Sequence, residues 1–197
     1  KIITSNGDYN TATEKANLYV KNGVQPKLFA KDDRTLEGDS IHYDRHTGEG
    51  TAIGNVTVND PKHHAILTGG YGYHNETTHV SYATDKALAR IYNKENAKTG
   101  ERSDTLFFHG DTITTIQEPD KNRVLTATGG VKFYRKDVQG ICGHLSFAQR
   151  DSILNLYNHP VVWSGERQIS SDNEINVHMR DSSSVDWATI PNKGLIV

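Results

Sequence analysis

The sequence predicts an all-β fold in which one antiparallel sheet is rolled up from duplicated units. Three observations predict it. Apolar and polar residues alternate along many short segments, turn residues separate these segments, and blocks of sequence recur about 74 residues apart. Because residues two apart on a strand face the same side, this alternation indicates strands with one buried face.

The alternating segments follow one another along most of the chain. Turn signals lie between them, including Asn22-Gly23, Thr47-Gly48, Asp60-Pro61 and Glu118-Pro119. Many short strands at nearly regular spacing are typical of a sandwich, a barrel or a β-solenoid. One stretch near the start, Thr11 to Glu14, fits a helix capping box, although a polar strand or arm explains it equally well.

The repeats indicate that the strands belong to stacked units. Gly38-Asp39-Ser40-Ile41 recurs as Gly110-Asp111-Thr112-Ile113, and Gly54-Asn55-Val56 recurs as Gly129-Gly130-Val131. Such units cannot bury an apolar face alone and must stack. We therefore predict a single domain over 1–197, with repeats at 36–93 and 104–163 and a partial third at 166–190. The best candidate for a long polar loop is 93–102.

Composition excludes several classes of protein. The 197 residues carry a formal charge of −2 and no basic cluster, which gives no reason to expect nucleic acid as a partner. The single cysteine, Cys142, allows no intrachain disulfide and is expected to be a small core residue. No apolar run reaches the roughly 18 residues of a membrane-spanning helix.

Three short motifs resemble the OstA/LptA-like family of lipopolysaccharide transport and organic solvent tolerance proteins. They are Gly38-Asp39-Ser40-Ile41-His42-Tyr43-Asp44, Gly54-Asn55-Val56, and Asn158-His159-Pro160-Val161-Val162-Trp163 followed by Gln168. Their order, spacing and duplication carry the resemblance, which runs from about Thr35 to Arg180.

The resemblance implies a rolled, V-shaped β-sheet of the β-jellyroll or β-taco type. It implies an open groove that carries the acyl chains of lipopolysaccharide, or of a related acylated glycolipid, across the periplasm toward the outer membrane. It also implies end-to-end stacking, as a head-to-tail homo-oligomer or with related β-jellyroll components at the inner and outer membranes. The family supplies no catalytic residue, so neither enzymatic activity nor a cofactor is expected. A periplasmic location, with or without membrane association, follows if a signal sequence has been removed.

The apolar positions of the strands are the candidate lipid-binding residues. On alternation alone, a plain closed core explains them more simply than an open groove. The two differ because a groove leaves apolar residues on an accessible concave face, whereas a structural β-solenoid buries them all. The candidate groove-lining residues are Ile41, Tyr43, Val56, Val58, Tyr71, Tyr73, Val80, Tyr82, Ile113, Val131, Phe133, Leu145, Phe147, Leu154 and Leu156.

The remaining chemical groups fit plainer roles. The ten histidines match no strong zinc spacing and are expected on polar strand faces, so no metal is predicted. Asp39, Asp111 and Asp172 hold similar places in the repeats, and a polysaccharide-binding or polysaccharide-cleaving β-helix would need such carboxylates; strand-start or turn roles are the simpler interpretation. Arg34, Arg90, Lys132, Arg135 and Lys136 are either rim contacts for lipid phosphates or, more simply, solvated charges.

Overall fold

The computed structural model describes residues 2–29, 33–92, 105–119, 122–148, 150–181 and 184–197. These residues form an all-β, rolled, V-shaped antiparallel sheet of 18 strands, which confirms the predicted fold class. The expected polar loop at 93–102 lies outside the described residues. The one helical element described is a 3₁₀ turn at Pro61–His63.

The strands follow the chain with short turns between them. The first nine are β1 (Ile2–Ile3), β2 (Gly7–Asn10), β3 (Lys15–Tyr19), β4 (Lys27–Phe29), β5 (Thr35–Glu37), β6 (Ser40–Asp44), β7 (Glu49–Asp60), β8 (Ala65–Asn75) and β9 (Val80–Ile91). The others are β10 (Leu106–Gln117), β11 (Arg123–Arg135), β12 (Val138–Ala148), β13 (Ile153–Tyr157), β14 (Val161–Ser164), β15 (Arg167–Ser171), β16 (Glu174–Asp181), β17 (Ser184–Thr189) and β18 (Gly194–Ile196).

The stretch with a possible helical signal is a hairpin turn. Asn10 at the end of β2 pairs with Lys15 at the start of β3, and the chain reverses direction over the four residues between them. The Asn10 side-chain oxygen accepts hydrogen bonds from the backbone N–H groups of Ala12 and Thr13, at 2.9 and 3.0 Å. This local bonding satisfies the turn in place of a first helical turn.

Six long strands, β7 to β12, bend in the middle and divide the sheet into two limbs. In limb A the pairing order is β2-β3-β6, then one half of each long strand, then β13-β16-β17. In limb B the order is β1-β4-β5, then the other halves, then β14-β15-β18. The limbs share one core, because Ile113 and Leu145 of limb A cluster with Phe108, Phe133 and Val162 of limb B.

The bend is a line of register shifts, such as those between Ile53 and Val56 and between Thr128 and Val131. Left-handed backbone occurs there in adjacent pairs, on 54–55, 85–86, 129–130 and 158–159. Such bulges insert unpaired residues and turn the strand sharply.

A glycine faces an acidic or amide side chain at four of these corners. A Cβ on Gly54 would collide with Asp39, and one on Gly129 would collide with Asp111. In the same way, a Cβ on Gly70 would collide with Asp85, and a Cβ on Gly143 would collide with Asn158. The sequence motifs that carry the family resemblance therefore coincide with the corners, as does the duplicated Gly-Asp block.

Candidate functional site: the groove between the limbs

The concave face carries an inward row of side chains on each limb, which the strand register defines. In limb A one row is Leu18, Ile41, Ala52, Gly72, Ala83, Ile113, Ala127, Leu145, Leu156 and Ile175. In limb B it is Ile2, Leu28, Leu36, Val58, Leu67, Ala89, Phe108, Phe133, Gly140, Val162, Ile169 and Ile196. Directly paired residues face the same side, so each row is a continuous apolar strip across the sheet.

Eleven of the fifteen candidate groove residues lie on this concave side by register. They are Ile41, Tyr43, Val56, Val58, Ile113, Val131, Phe133, Leu145, Phe147, Leu154 and Leu156. That any of them contacts a lipid stays a prediction.

Tyr71, Tyr73, Val80 and Tyr82 lie on the outer face, which differs from their expected placement. Their intervening neighbours, Gly72 in β8 and Ala83 in β9, occupy the inner row. In β8 the bulge between Thr68 and Tyr71 reverses the inward parity, so that Leu67 and Gly72 face inward and Tyr71 and Tyr73 face outward. In β9 the inward positions stay odd-numbered, as at Ala83 and Ala89, so Val80 and Tyr82 face outward without a reversal in their own strand. Alternation alone could not reveal this reversal.

The outer tyrosines form an aromatic cluster of their own. The rings of Tyr73 and Tyr82 stack with centroids 5.0 Å apart, and Tyr71 lies 6.1 Å from Tyr82. The Tyr73 hydroxyl donates to Glu49 at 2.9 Å. Partial burial, and then the neighbouring Tyr82, raise the pKa of the Tyr71 phenol.

The groove is closed over the C-terminal half of the sheet. Ile113, Leu145 and Leu156 are fully buried, and Phe108 and Phe133 are 3 % and 4 % exposed. Leu154, Val177 and Met179 of limb A meet Phe133 and Val138 of limb B around a cavity of only about 10 Å³. This half has the side-chain packing of an ordinary protein core.

The N-terminal half is filled less completely. Its buried cluster consists of Leu18, Ile41, Ala52 and Val56. Several inward positions there carry small residues, so less side-chain volume projects from limb A. On limb B, Leu36, Val58 and Leu67 face inward and yet are only half-buried. Accessible apolar residues on a concave face are the property that distinguishes a groove from a closed core.

The C-terminal end of the groove opens into a cavity of about 480 Å³. Its apolar wall combines Val162 and Ile169 of limb B with Val185 and Ala188 of limb A, and Trp187 lies at the opening. The β14–β15 turn, residues 164–167, forms the polar rim. The volume lies in the range of small-molecule sites.

Two arginines lie at the mouth of the groove, which is the side opposite the bend, where the outer ends of the long strands of both limbs meet. Arg123 of limb A pairs with Asp60 of limb B at 3.0 Å, and this ion pair spans the mouth. Arg135 ends its strand with an inward side chain that is 1 % exposed, and it forms a two-point pair with Asp137 at 2.5 and 2.8 Å. The Arg135 guanidinium beside Asp137 lowers the pKa of that carboxyl.

The other basic candidates are arranged differently. Lys132 and Arg90 point to the outer face, as their pairing with His109 and Ile66 requires. Lys136 is exposed in the turn after β11, and Arg34 immediately precedes β5. Of these candidates, Arg135 has an inward, buried side chain.

Asp39, Asp172 and His74 take part in hydrogen bonds within the fold. Asp39 accepts hydrogen bonds from Gln25 and Asn55, at 2.7 and 2.8 Å, and so stabilises its corner. The backbone carbonyl of Asp172 accepts from His159 N–H in the turn before β16. His74 faces inward and bonds Ser81 at 2.8 Å. Within the described part of the chain, no three His, Cys, Asp or Glu side chains converge as a metal site would require.

Cys142 is a core residue, as predicted. Its side chain belongs to the large buried cluster, and burial raises the pKa of the thiol to about 11. Such a thiol is protonated at neutral pH and therefore a weak nucleophile.

Sequence reasoning missed the small residues of the groove. Ala52, Ala83, Ala87, Ala89 and Ala127 are all 5 % exposed or less. Alanine carries little hydrophobic signal, and only the strand register reveals that these residues line up. It also missed the burial of Arg135, although Val131, Phe133 and Arg135 share one parity along β11.

Comparison with solved structures returned matches to known proteins. The chain is similar to LptH of Pseudomonas aeruginosa, described as the LptA homologous periplasmic component of the conserved lipopolysaccharide transport device. The sequence identity is 15 %, the TM-score is 0.48, and the alignment covers 81 % of this chain and 95 % of LptH. No family model matches the chain, and no curated protein matches it. In the described residues, no helix is long and apolar enough to cross a membrane.

Proposed function

We propose that this protein is a periplasmic lipid carrier without enzymatic activity, which binds the acyl chains of lipopolysaccharide or a related acylated glycolipid in its groove. In this role it conveys or bridges the lipid toward the outer membrane. The sequence motifs of the OstA/LptA-like family and the geometry of the groove both support the proposal.

The observation that carries the proposal is the inner row of limb B. Its twelve positions are apolar or glycine from one edge of the sheet to the other. The row ends in residues that remain accessible, with Ile2 49 % and Ile196 66 % exposed. A strip that stays apolar out to open ends suits a chain-shaped apolar ligand, whereas a closed core needs no such continuation.

The energetics favour acyl chains over other ligands. Burying one methylene stabilises a complex by about 0.8 kcal/mol, so a dozen methylenes contribute on the order of 10 kcal/mol before ordering costs are subtracted. Such binding requires apolar contact and no dedicated polar network.

A second candidate function is a structural β-solenoid module, and the closed C-terminal half favours it. Leu145 and Leu156 have no exposed surface, and the cavity beside Phe133 is too small for an acyl chain. In this alternative the inner rows serve folding alone.

Native mass spectrometry of protein purified without detergent separates the two candidates. A lipid carrier retains a fraction of its ligand, which appears as discrete added masses of one or more acylated lipids. A structural module gives the mass of the polypeptide alone, both before and after incubation with lipopolysaccharide. Binding that appears only in the unfolded protein would contradict the carrier role.

A further inference from the structure

The buried guanidinium of Arg135 is incompletely bonded. Its side chain is 1 % exposed, and Nε and Nη2 donate to the two carboxylate oxygens of Asp137. The remaining nitrogen, Nη1, is buried and has no hydrogen-bond partner among the described residues. A buried donor without an acceptor is destabilising, and the loss is greater when the group is charged.

Within the described part of the chain, the surroundings of Arg135 supply no second acceptor. The side chain lines the 10 Å³ cavity, where its neighbours include Phe133, Leu154, Val177 and Met179. A cation in such surroundings binds an anionic oxygen strongly because water competes poorly there.

The cavity at Arg135 adjoins the large cavity at the C-terminal end of the groove. Val185 lines both cavities. Ser164, on the rim of the large cavity, donates a hydrogen bond to the backbone carbonyl of Asp137 at 3.0 Å. The turn that bears Arg135 is therefore tied to the rim of a space that an alkyl chain can enter.

We propose that Arg135 binds the anionic head group, a phosphate or a carboxylate, of an amphiphile whose alkyl chain occupies the C-terminal cavity. This inference rests on the proposed lipid-binding function and adds a charge requirement to it. Nη1 donates to an oxygen of the head group, and Asp137 holds the guanidinium in place. Asp137 is also the competitor, since its carboxylate uses the two other donors.

The test is a calorimetric titration of the full chain with decyl phosphate, decyl glucoside and inorganic phosphate, all below micelle-forming concentrations. We expect wild-type protein to bind decyl phosphate at least about tenfold more tightly than decyl glucoside, as a charge-assisted hydrogen bond at a buried site would give. Arg135→Gln should abolish this preference. Lys136→Gln, which removes an exposed charge of the same sign from the same turn, should leave it intact.

Asp137→Asn tests the proposal in the opposite direction. Removing the competing carboxylate should increase the preference for decyl phosphate over decyl glucoside. The Asp137 side chain is 54 % exposed, so this variant tests Arg135 even if Arg135→Gln does not fold. A preference that falls in Asp137→Asn would overturn the proposal.

The remaining outcomes separate this proposal from the proposed function. If both amphiphiles bind equally to wild type, the charge requirement is wrong and the lipid-binding function stands. If neither amphiphile binds, both are wrong. If inorganic phosphate binds as tightly as decyl phosphate, with the same dependence on Arg135, the site takes a free anion and the assignment to an amphiphile is overturned.

Discussion

The two halves of the groove have the same architecture and different filling. In the C-terminal half, large side chains such as Phe133, Leu145 and Leu156 meet between the limbs and exclude solvent. In the N-terminal half, the small residues Ala52 and Gly72 occupy inward positions on limb A, and inward residues of limb B such as Leu36 and Val58 remain partly exposed. The difference shows that one rolled sheet can combine a closed hydrophobic core with an accessible apolar surface.

Truncating a core leucine should give the largest effect and expose this difference directly. Leu156→Ala in the closed half should lower the free energy of unfolding by about 2–5 kcal/mol, because it leaves a cavity in a packed core. Leu36→Ala in the accessible half should cost about 1 kcal/mol, because that side chain is only half-buried. Urea denaturation of both variants measures the contrast, and equal losses would show that both halves are closed.

The bend that the halves share can be tested at two adjacent glycines. Gly129 and Gly130 both have left-handed backbone, with φ of 76° and 52°, so alanine at either position should cost about 1–2 kcal/mol. At Gly129 the new Cβ also collides with Asp111, whereas at Gly130 nothing lies within 4 Å. Gly129→Ala should therefore destabilise the protein by at least about 1 kcal/mol more than Gly130→Ala. Thermal unfolding that ranks them in the reverse order would contradict this account of the corners.

The two ends of the sheet also differ in the edge strands that they offer for pairing with another chain. At the C-terminal end, β17 pairs with β16 on one side, and in the described part of the chain no strand pairs with its other side. Free strand edges invite pairing with another chain. We expect weak head-to-tail oligomers, which proline at Trp187 or Thr189 should abolish without unfolding the sheet. Sedimentation that stays monomeric from micromolar to millimolar concentration would leave pairing with a different protein as the remaining possibility.

At the N-terminal end, the pairing edge differs from the one the sequence indicates. Leu18-Tyr19-Val20 has the residues and the following turn of an edge strand. In the structure β3 is internal, because it pairs with both β2 and β6. The N-terminal edge of limb A is therefore β2, and variants intended to block assembly there belong in Gly7–Asn10.

A pH dependence of stability is expected at the mouth of the closed half. Arg135 lowers the pKa of Asp137 in the folded protein, so this pair stabilises the fold above the ordinary carboxyl pKa. The contribution is lost as the pH falls through the lowered pKa. Asp137→Asn should lower stability at neutral pH, because it removes the counter-charge of the buried Arg135 side chain, and should flatten the acid limb of the stability profile. An unchanged acid limb would show that the pair adds nothing to folding.

Much of the fold was predictable because it follows from local rules. Alternation indicated the strands, and the repeated Gly-Asp and Gly-x-Val blocks correctly indicated equivalent positions, which turned out to be the corners. The orientation of Tyr71, Tyr73 and Tyr82 was not predictable, because the bend reverses the inward parity in β8, β10 and β12 and preserves it in β7, β9 and β11. The closed and accessible halves were also hidden, since they depend on which alanines and glycines face which large residues across the groove.

The burial of Arg135 could not be predicted from the sequence, for a related reason. A positive charge beside a turn is normally solvated, but residues of β10, β13, β16 and β17 cover this one. Local pattern places a residue on one face of a strand, but burial depends on what the opposite limb brings against it.

The most direct test of the groove compares photo-crosslinkers at neighbouring positions of opposite orientation. Val58 and Phe133 face inward, whereas Thr57, Lys132 and Tyr73 face outward. With lipopolysaccharide as the probe, crosslinks should form at Val58 in the accessible half, and be absent at the three outward positions and at Phe133, which is packed in the closed half. Equal labelling of Val58 and Thr57, or labelling at Tyr73 in place of Val58, would contradict a lipid-binding groove between the limbs.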